Sequence, residues 1–201
     1  MAKLFQNKYR NGTFRLQSWD YSSEGMYFIT ICTKNSEPYL AADVNDTLQL
    51  KEIGKIAESE WFKTAEIRPD MNLELGAFVV MPDHIHGIII IGSNDYNTPE
   101  NGGCRSAMYR GPTTGDATGG ATVATDPKMP KNKFGPQRKN LGSIIRGYKS
   151  AVTTEARRKD IEFNWQNLFY EHIIRSQSDY LRISEYIDSN PEKLSASKKF
   201  N

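Results

Sequence analysis

Apolar positions along this chain recur with strand-like and helix-like periods, separated by stretches rich in Gly, Pro, Asn and Asp. Tyr21 to Gly25 reads as a turn, and Met26-Tyr27-Phe28-Ile29-Thr30-Ile31-Cys32-Thr33 after it predicts a strand. Asn35 to Pro38 interrupts this run, and Thr47 to Leu50 is long enough for one short strand. From about Lys51 to Ala65, Ile53, Ile56, Ala57, Trp61 and Phe62 fall at helical spacing, which predicts an amphipathic helix ended by Arg68-Pro69-Asp70. Leu73 to Met81 predicts the next strand, and a strand resumes from about Ile85 to Ile91. Pro82 has no N–H to give a sheet, so a turn or an edge is expected there. Two strands meeting in a hairpin and one bent strand both fit.

The pattern then lapses. Gly92 to about Pro136 contains Gly102-Gly103, Gly111-Pro112-Thr113-Thr114-Gly115 and Thr118-Gly119-Gly120, with little that could form a core. The expectation is a single domain over residues 1–201 with a flexible insertion at 93–136. Periodicity returns at Leu141 to Arg158, where Leu141, Ile144, Ile145, Tyr148 and Val152 share a helical face. Trp165 to Ile174 mixes aromatic residues with His172 and fits neither period. Asp179 to Asn190 predicts a further helix from Tyr180, Leu181, Ile183, Tyr186 and Ile187, with Ser178 or Asp179 as its cap and Pro191 as its stop.

Composition adds little until charge is followed along the chain. The 201 residues are 38% hydrophobic and 25% charged, with a net charge of +2. Between Lys128 and Lys159, however, ten basic residues stand against the single acid Glu155. A basic block on a mildly acidic body suits a local polyanion site, or a solvated helix face behind a basic loop. Cys32 and Cys104 provide neither a disulfide framework nor zinc-ligand spacing. With no apolar run of membrane-spanning length and no signal-like start, a cytoplasmic protein is expected.

Two of the three histidines, His84 and His86, lie in Met81-Pro82-Asp83-His84-Ile85-His86-Gly87. Residues i and i+2 of a strand share a face, so the imidazoles would project side by side. They then form either a metal pair or two polar residues at the end of a core strand. A third ligand must come from elsewhere, and Tyr186 and Asn190 of the last helix share a face at i and i+4. An amide oxygen beside two imidazole nitrogens suits Mg²⁺ or Mn²⁺. A tyrosyl oxygen beside that metal is a usable nucleophile, though a tyrosine on an apolar helix face also fits a core role.

Met-Pro-Asp-His-Ile-His-Gly after a Phe-Val-Val strand resembles the His-hydrophobe-His motif of single-tyrosine transposases, in particular the REP-associated, insertion-sequence-like bacterial branch. The same family is resembled by Tyr21-Ser22 with Gly25 to Thr33, by Leu141-Gly142 with Tyr148-Lys149-Ser150, by Tyr170-Glu171-His172-Ile173-Ile174-Arg175, and by Tyr186-Ile187 with Asn190-Pro191. These stretches run in order from about residue 9 to 194. The resemblance implies an α+β, ferredoxin-like fold with an antiparallel sheet and helices packed on one face. It implies Tyr186 as nucleophile, and His84, His86 and Asn190 as ligands of Mg²⁺ or Mn²⁺. Asn190 stands where relatives place the longer Gln. Asp83 stands where they often carry Asn, and would orient a histidine or cap a turn. His172 is left between the site, DNA contact and the fold.

The implied activity is nicking and joining of single-stranded or hairpin DNA through a 5′-phosphotyrosine, by a monomer or homodimer. Arg138, Lys139, Arg146, Lys149 and Arg175 are the expected DNA contacts. A replication-initiator-like nickase and a non-catalytic nucleic-acid-binding module are the alternatives.

Overall fold

The structure, a computed structural model, describes residues 4–5, 9–10, 16, 19–45, 47–98 and 138–192. Leu4–Phe5 (β1) and Tyr9–Arg10 (β2) pair antiparallel. Gly25–Cys32 forms β3, Ala41–Val44 and Thr47–Leu50 form the hairpin β4–β5, and Glu52–Glu66 forms helix α1. Leu73–Val80 (β6) and His84–Ile91 (β7) follow, then helix α2 (Leu141–Arg158), strand β8 (Tyr170–Ile174) and helix α3 (Gln177–Asp188). The main sheet is antiparallel throughout, in the order β6-β7-β3-β8.

Of the two readings of Pro82, the hairpin is realised. Met81 N–H donates to the carbonyl of His84 at 2.8 Å, while the backbone N–H groups of Thr33 and Leu40 bond the carbonyls of Asp83 and Pro82. Proline's missing donor therefore falls in a turn whose acceptors are satisfied by neighbouring segments. The unassigned stretch before residue 174 ends in edge strand β8. Its pattern was hidden because only one of its residues, Ile174, is buried.

Alternation divides the sheet into two faces. Tyr27, Ile29 and Ile31 of β3, with Ile85, Ile89 and Ile91 of β7, join α1 and α2 in the larger core around Trp61 and Tyr148. The even-numbered residues point the other way, where Ile88 and Ile174 meet Ile183 and Ile187 of α3. The α+β class and antiparallel sheet are as expected. The helices do not all share one face, however: α1 and α2 cover one side and α3 the other. A β-bulge between Leu75 and Phe78 of β6 makes room for α3, whose Tyr180 hydroxyl comes against Gly76.

The expected insertion at 93–136 falls largely outside the described residues, from 99 onward. Its first residues belong to the fold: Asn94 donates to the carbonyls of Met71 and Gly92, and the Tyr96 hydroxyl donates to Asp70 at 2.8 Å. Among the described residues, no helix is long and apolar enough to cross a membrane.

Candidate active site

Strand β7 supplies the two histidines in the expected arrangement. His84 and His86 lie one above the other on the α3 side of the sheet, ring centroids 4.6 Å apart. The odd residues between and beside them, Ile85 and Gly87, anchor the strand on the opposite side. Gly87 is required there, because a Cβ would lie 2.3 Å from the Trp61 ring, which stacks on Phe78 at 4.7 Å. The glycine ending His-Ile-His-Gly thus admits a tryptophan against the back of the strand.

Each imidazole is oriented by a partner on Nδ1. His84 Nδ1 donates to the Asp83 carboxylate at 2.7 Å, so Nε2 is the nitrogen left outside that bond. His86 Nδ1 is 2.9 Å from Oγ1 of Thr30, directly across the β3–β7 ladder. When the imidazole donates in that bond, its Nε2 is likewise a free ligand atom. Burial pushes the His86 pKa down to about 4; neighbouring His84 adds to the shift and Asp83 opposes it. His86 is therefore neutral at pH 7, the form that binds metals.

Helix α3 brings Tyr186 over this pair. Its ring centroid is 5.5 Å from His86 and 6.3 Å from Phe28, and the side chain is 42% exposed. Ile183 and Ile187, which flank Tyr186 in helical register, bury into the small core and hold the tyrosine at its rim. The helix begins at Gln177, two residues before the expected start, and is capped by Ser176, whose Oγ accepts from Asp179 N–H at 3.1 Å. Asp179 also accepts from His172 Nε2 at 3.0 Å and from Arg182, tying α3 to β8. His172 is thus bonded within the fold.

Asn190 lies just past α3. Its Nδ2 donates to the Tyr186 carbonyl at 3.2 Å, and neither imidazole is among its hydrogen-bond partners. That bond holds the amide at the Tyr186 end of the helix and leaves Oδ1 as its remaining polar atom. Among the described residues no third His, Cys, Asp or Glu joins the histidine pair. Two Nδ1-anchored imidazoles with the Asn190 amide as third donor would make a set suited to a hard divalent cation that keeps several waters.

The basic residues are placed differently. Arg138, Lys139, Arg146 and Lys149 belong to α2 and its approach, on the sheet face opposite the histidines. Lys139 pairs with Asp70 and lies over the Tyr96 ring at 4.9 Å. Lys149, its pKa lowered by burial, donates to the carbonyls of Gln166 and Asn167 and lines a cleft with Thr153, Arg157 and Trp165. Arg175 is exposed between β8 and α3. Two contributors to the site carried no signal by themselves. Thr30 and Phe28 stand on β3 as ordinary strand residues, and only the ladder register puts them beside His86.

An uncharacterized protein of Haemophilus influenzae (strain ATCC 51907 / DSM 11121 / KW20 / Rd) is 34% identical to this chain over 180 residues, spanning 89% of this chain and 87% of the relative. The chain belongs to that protein's family. No family model matches it. The structure is similar to that of a REP-associated tyrosine transposase bound to a REP hairpin, with a TM-score of 0.50 and 18% identity. The match covers 90% of this chain and 73% of that one, and shows that the two share a fold.

Proposed function

We propose that this protein is a DNA strand transferase of the single-tyrosine type, nicking and rejoining single-stranded or hairpin-forming DNA. One observation carries the reading: Tyr186 stands 5.5 Å, ring to ring, from His86 of a histidine pair supplied by a distant part of the chain. The hairpin DNA bound to the transposase of similar fold supports the choice of substrate.

In this mechanism the Tyr186 oxygen attacks a backbone phosphorus. A bond from Tyr186 to the 5′-phosphate forms, the bond from phosphorus to the 3′ oxygen breaks, and that oxygen leaves as a 3′-OH. The phenol proton passes to solvent and the leaving oxygen takes one up. A second 3′-OH reverses the step, rejoining DNA and releasing Tyr186. The phosphotyrosine keeps the energy of the phosphodiester, so no nucleotide cofactor is consumed. His84, His86 and Asn190 would hold Mg²⁺ or Mn²⁺, with Asp83 and Thr30 orienting the two imidazoles. Such a cation supplies Lewis-acid polarisation of the phosphate and charge stabilisation in the transition state.

Covalent trapping tests the reading. Labelled single strands containing hairpins from DNA flanking the gene are incubated with Mg²⁺ or Mn²⁺ and resolved on a denaturing gel. Wild type is expected to form a metal-dependent adduct that Tyr186→Phe and His84→Ala both lose. An adduct surviving Tyr186→Phe would move the nucleophile elsewhere. No adduct on any hairpin would overturn the enzymatic reading.

A further inference from the structure

The sheet surface beside the histidines carries a strip of rings that the cutting chemistry does not use. Phe28 is its centre, 5.2 Å from His86, 6.3 Å from Tyr186 and 6.4 Å from Tyr170, the last two edge-to-face. Tyr170 is the outer member, on edge strand β8, with 54% of its surface exposed. The ladder fixes its distance from the site. Tyr170 pairs with Thr30, and Thr30 pairs with His86. Tyr170 and His86 therefore lie two strand spacings apart, about 10 Å across the sheet. That span suits one nucleotide leading away from a phosphate held at the histidine pair. An exposed aromatic on the edge strand of a sheet, continuous with a phosphate-handling site, matches a stacking platform for an unpaired base.

We propose that Tyr170 stacks an unpaired base next to the phosphate that Tyr186 attacks, Phe28 buttressing its ring. The proposal rests on the reading of the site as one that acts on single-stranded DNA. It makes the β8 edge the track along which the single strand leaves the site. Stacking tolerates any base, so Tyr170 contributes affinity and positioning, and sequence choice is made elsewhere.

The probe is a hairpin from DNA flanking the gene with a single-stranded extension, 2-aminopurine being moved through the extension one position at a time. Binding is followed by fluorescence in EDTA, so no cleavage intervenes, with thermal melts showing that each variant is folded. Wild type is expected to change the emission at one position of the extension. Tyr170→Ala should abolish that change and weaken binding about 5- to 100-fold. Tyr170→Phe should preserve both, and Tyr170→Leu neither. An unchanged signal and affinity in Tyr170→Ala would overturn the proposal, even where wild type forms the covalent adduct. A signal that depends on Tyr170, in a protein that forms no adduct, would uphold the platform and overturn the transferase reading. Extended and blunt hairpins bound equally well, with no position responding, would overturn the stacking role.

Discussion

Among single residues, Thr30 is the one whose importance least matches its appearance. A threonine inside an apolar strand is ordinary, yet its oxygen is 2.9 Å from His86 Nδ1 and sets which nitrogen faces the site. Thr30→Val keeps the shape and removes that oxygen. It is expected to lower Mn²⁺ affinity about 10- to 100-fold by isothermal titration, with metal-free DNA binding unchanged. Equal affinity in the two proteins would leave Thr30 a packing residue. Asn190→Ala separates the amide from the helix in the same way. Its expected signature is weaker Mn²⁺ binding and slower adduct formation at unchanged DNA affinity; if Mn²⁺ titrates as in wild type, the third ligand is not Asn190.

The elements are held by devices whose cost of removal is measurable. Helix α2 starts with a reciprocal cap in which Asn140 Oδ1 accepts from Ser143 N–H at 2.9 Å and Ser143 Oγ accepts from Asn140 N–H at 3.1 Å. Asn140→Ala should cost about 1 kcal/mol in urea denaturation, and a loss near zero would mean that packing alone defines the start of α2. On β7 the constraint is space rather than hydrogen bonding. Any side chain at Gly87 meets Trp61, so Gly87→Val is expected to destabilise by roughly 1–3 kcal/mol. Because β7 would shift to accommodate it, the metal affinity of the histidine pair should fall as well. A variant as stable as wild type would show that the Trp61 ring can retreat without loss.

At the scale of the whole molecule, the site and most of the basic block occupy opposite faces of one sheet. The histidine pair and Tyr186 stand on the α3 side, while Arg146 and Lys149 stand on α2. A DNA that engages both must pass around the rim of the sheet. Arg146→Ala and Lys149→Ala are therefore each expected to reduce the salt dependence of binding by about one unit of slope. Adduct formation at saturating DNA should keep its rate; salt slopes identical to wild type would place the nucleic acid on the α3 side alone. The local pattern of the chain was enough for β3, α1, β6, β7, α2 and α3, because each buries a face whose period survives in the residues. It was enough also for the pairing of His84 with His86, since alternate residues of a strand share a side whatever surrounds them. Strands β4 and β8 were not legible, being short and mostly unburied, and the cap of α3 lay beyond its periodic part. The meeting of Tyr186 with the histidines was implied by resemblance but could not follow from spacing. It depends on α3 crossing the sheet on the side away from α1 and α2. The same holds for Thr30, Phe28 and Tyr170, which neighbour the site only through strand register. Period two and period 3.6 are written in the chain itself; which faces meet is decided by the packing of the sheet between its helices.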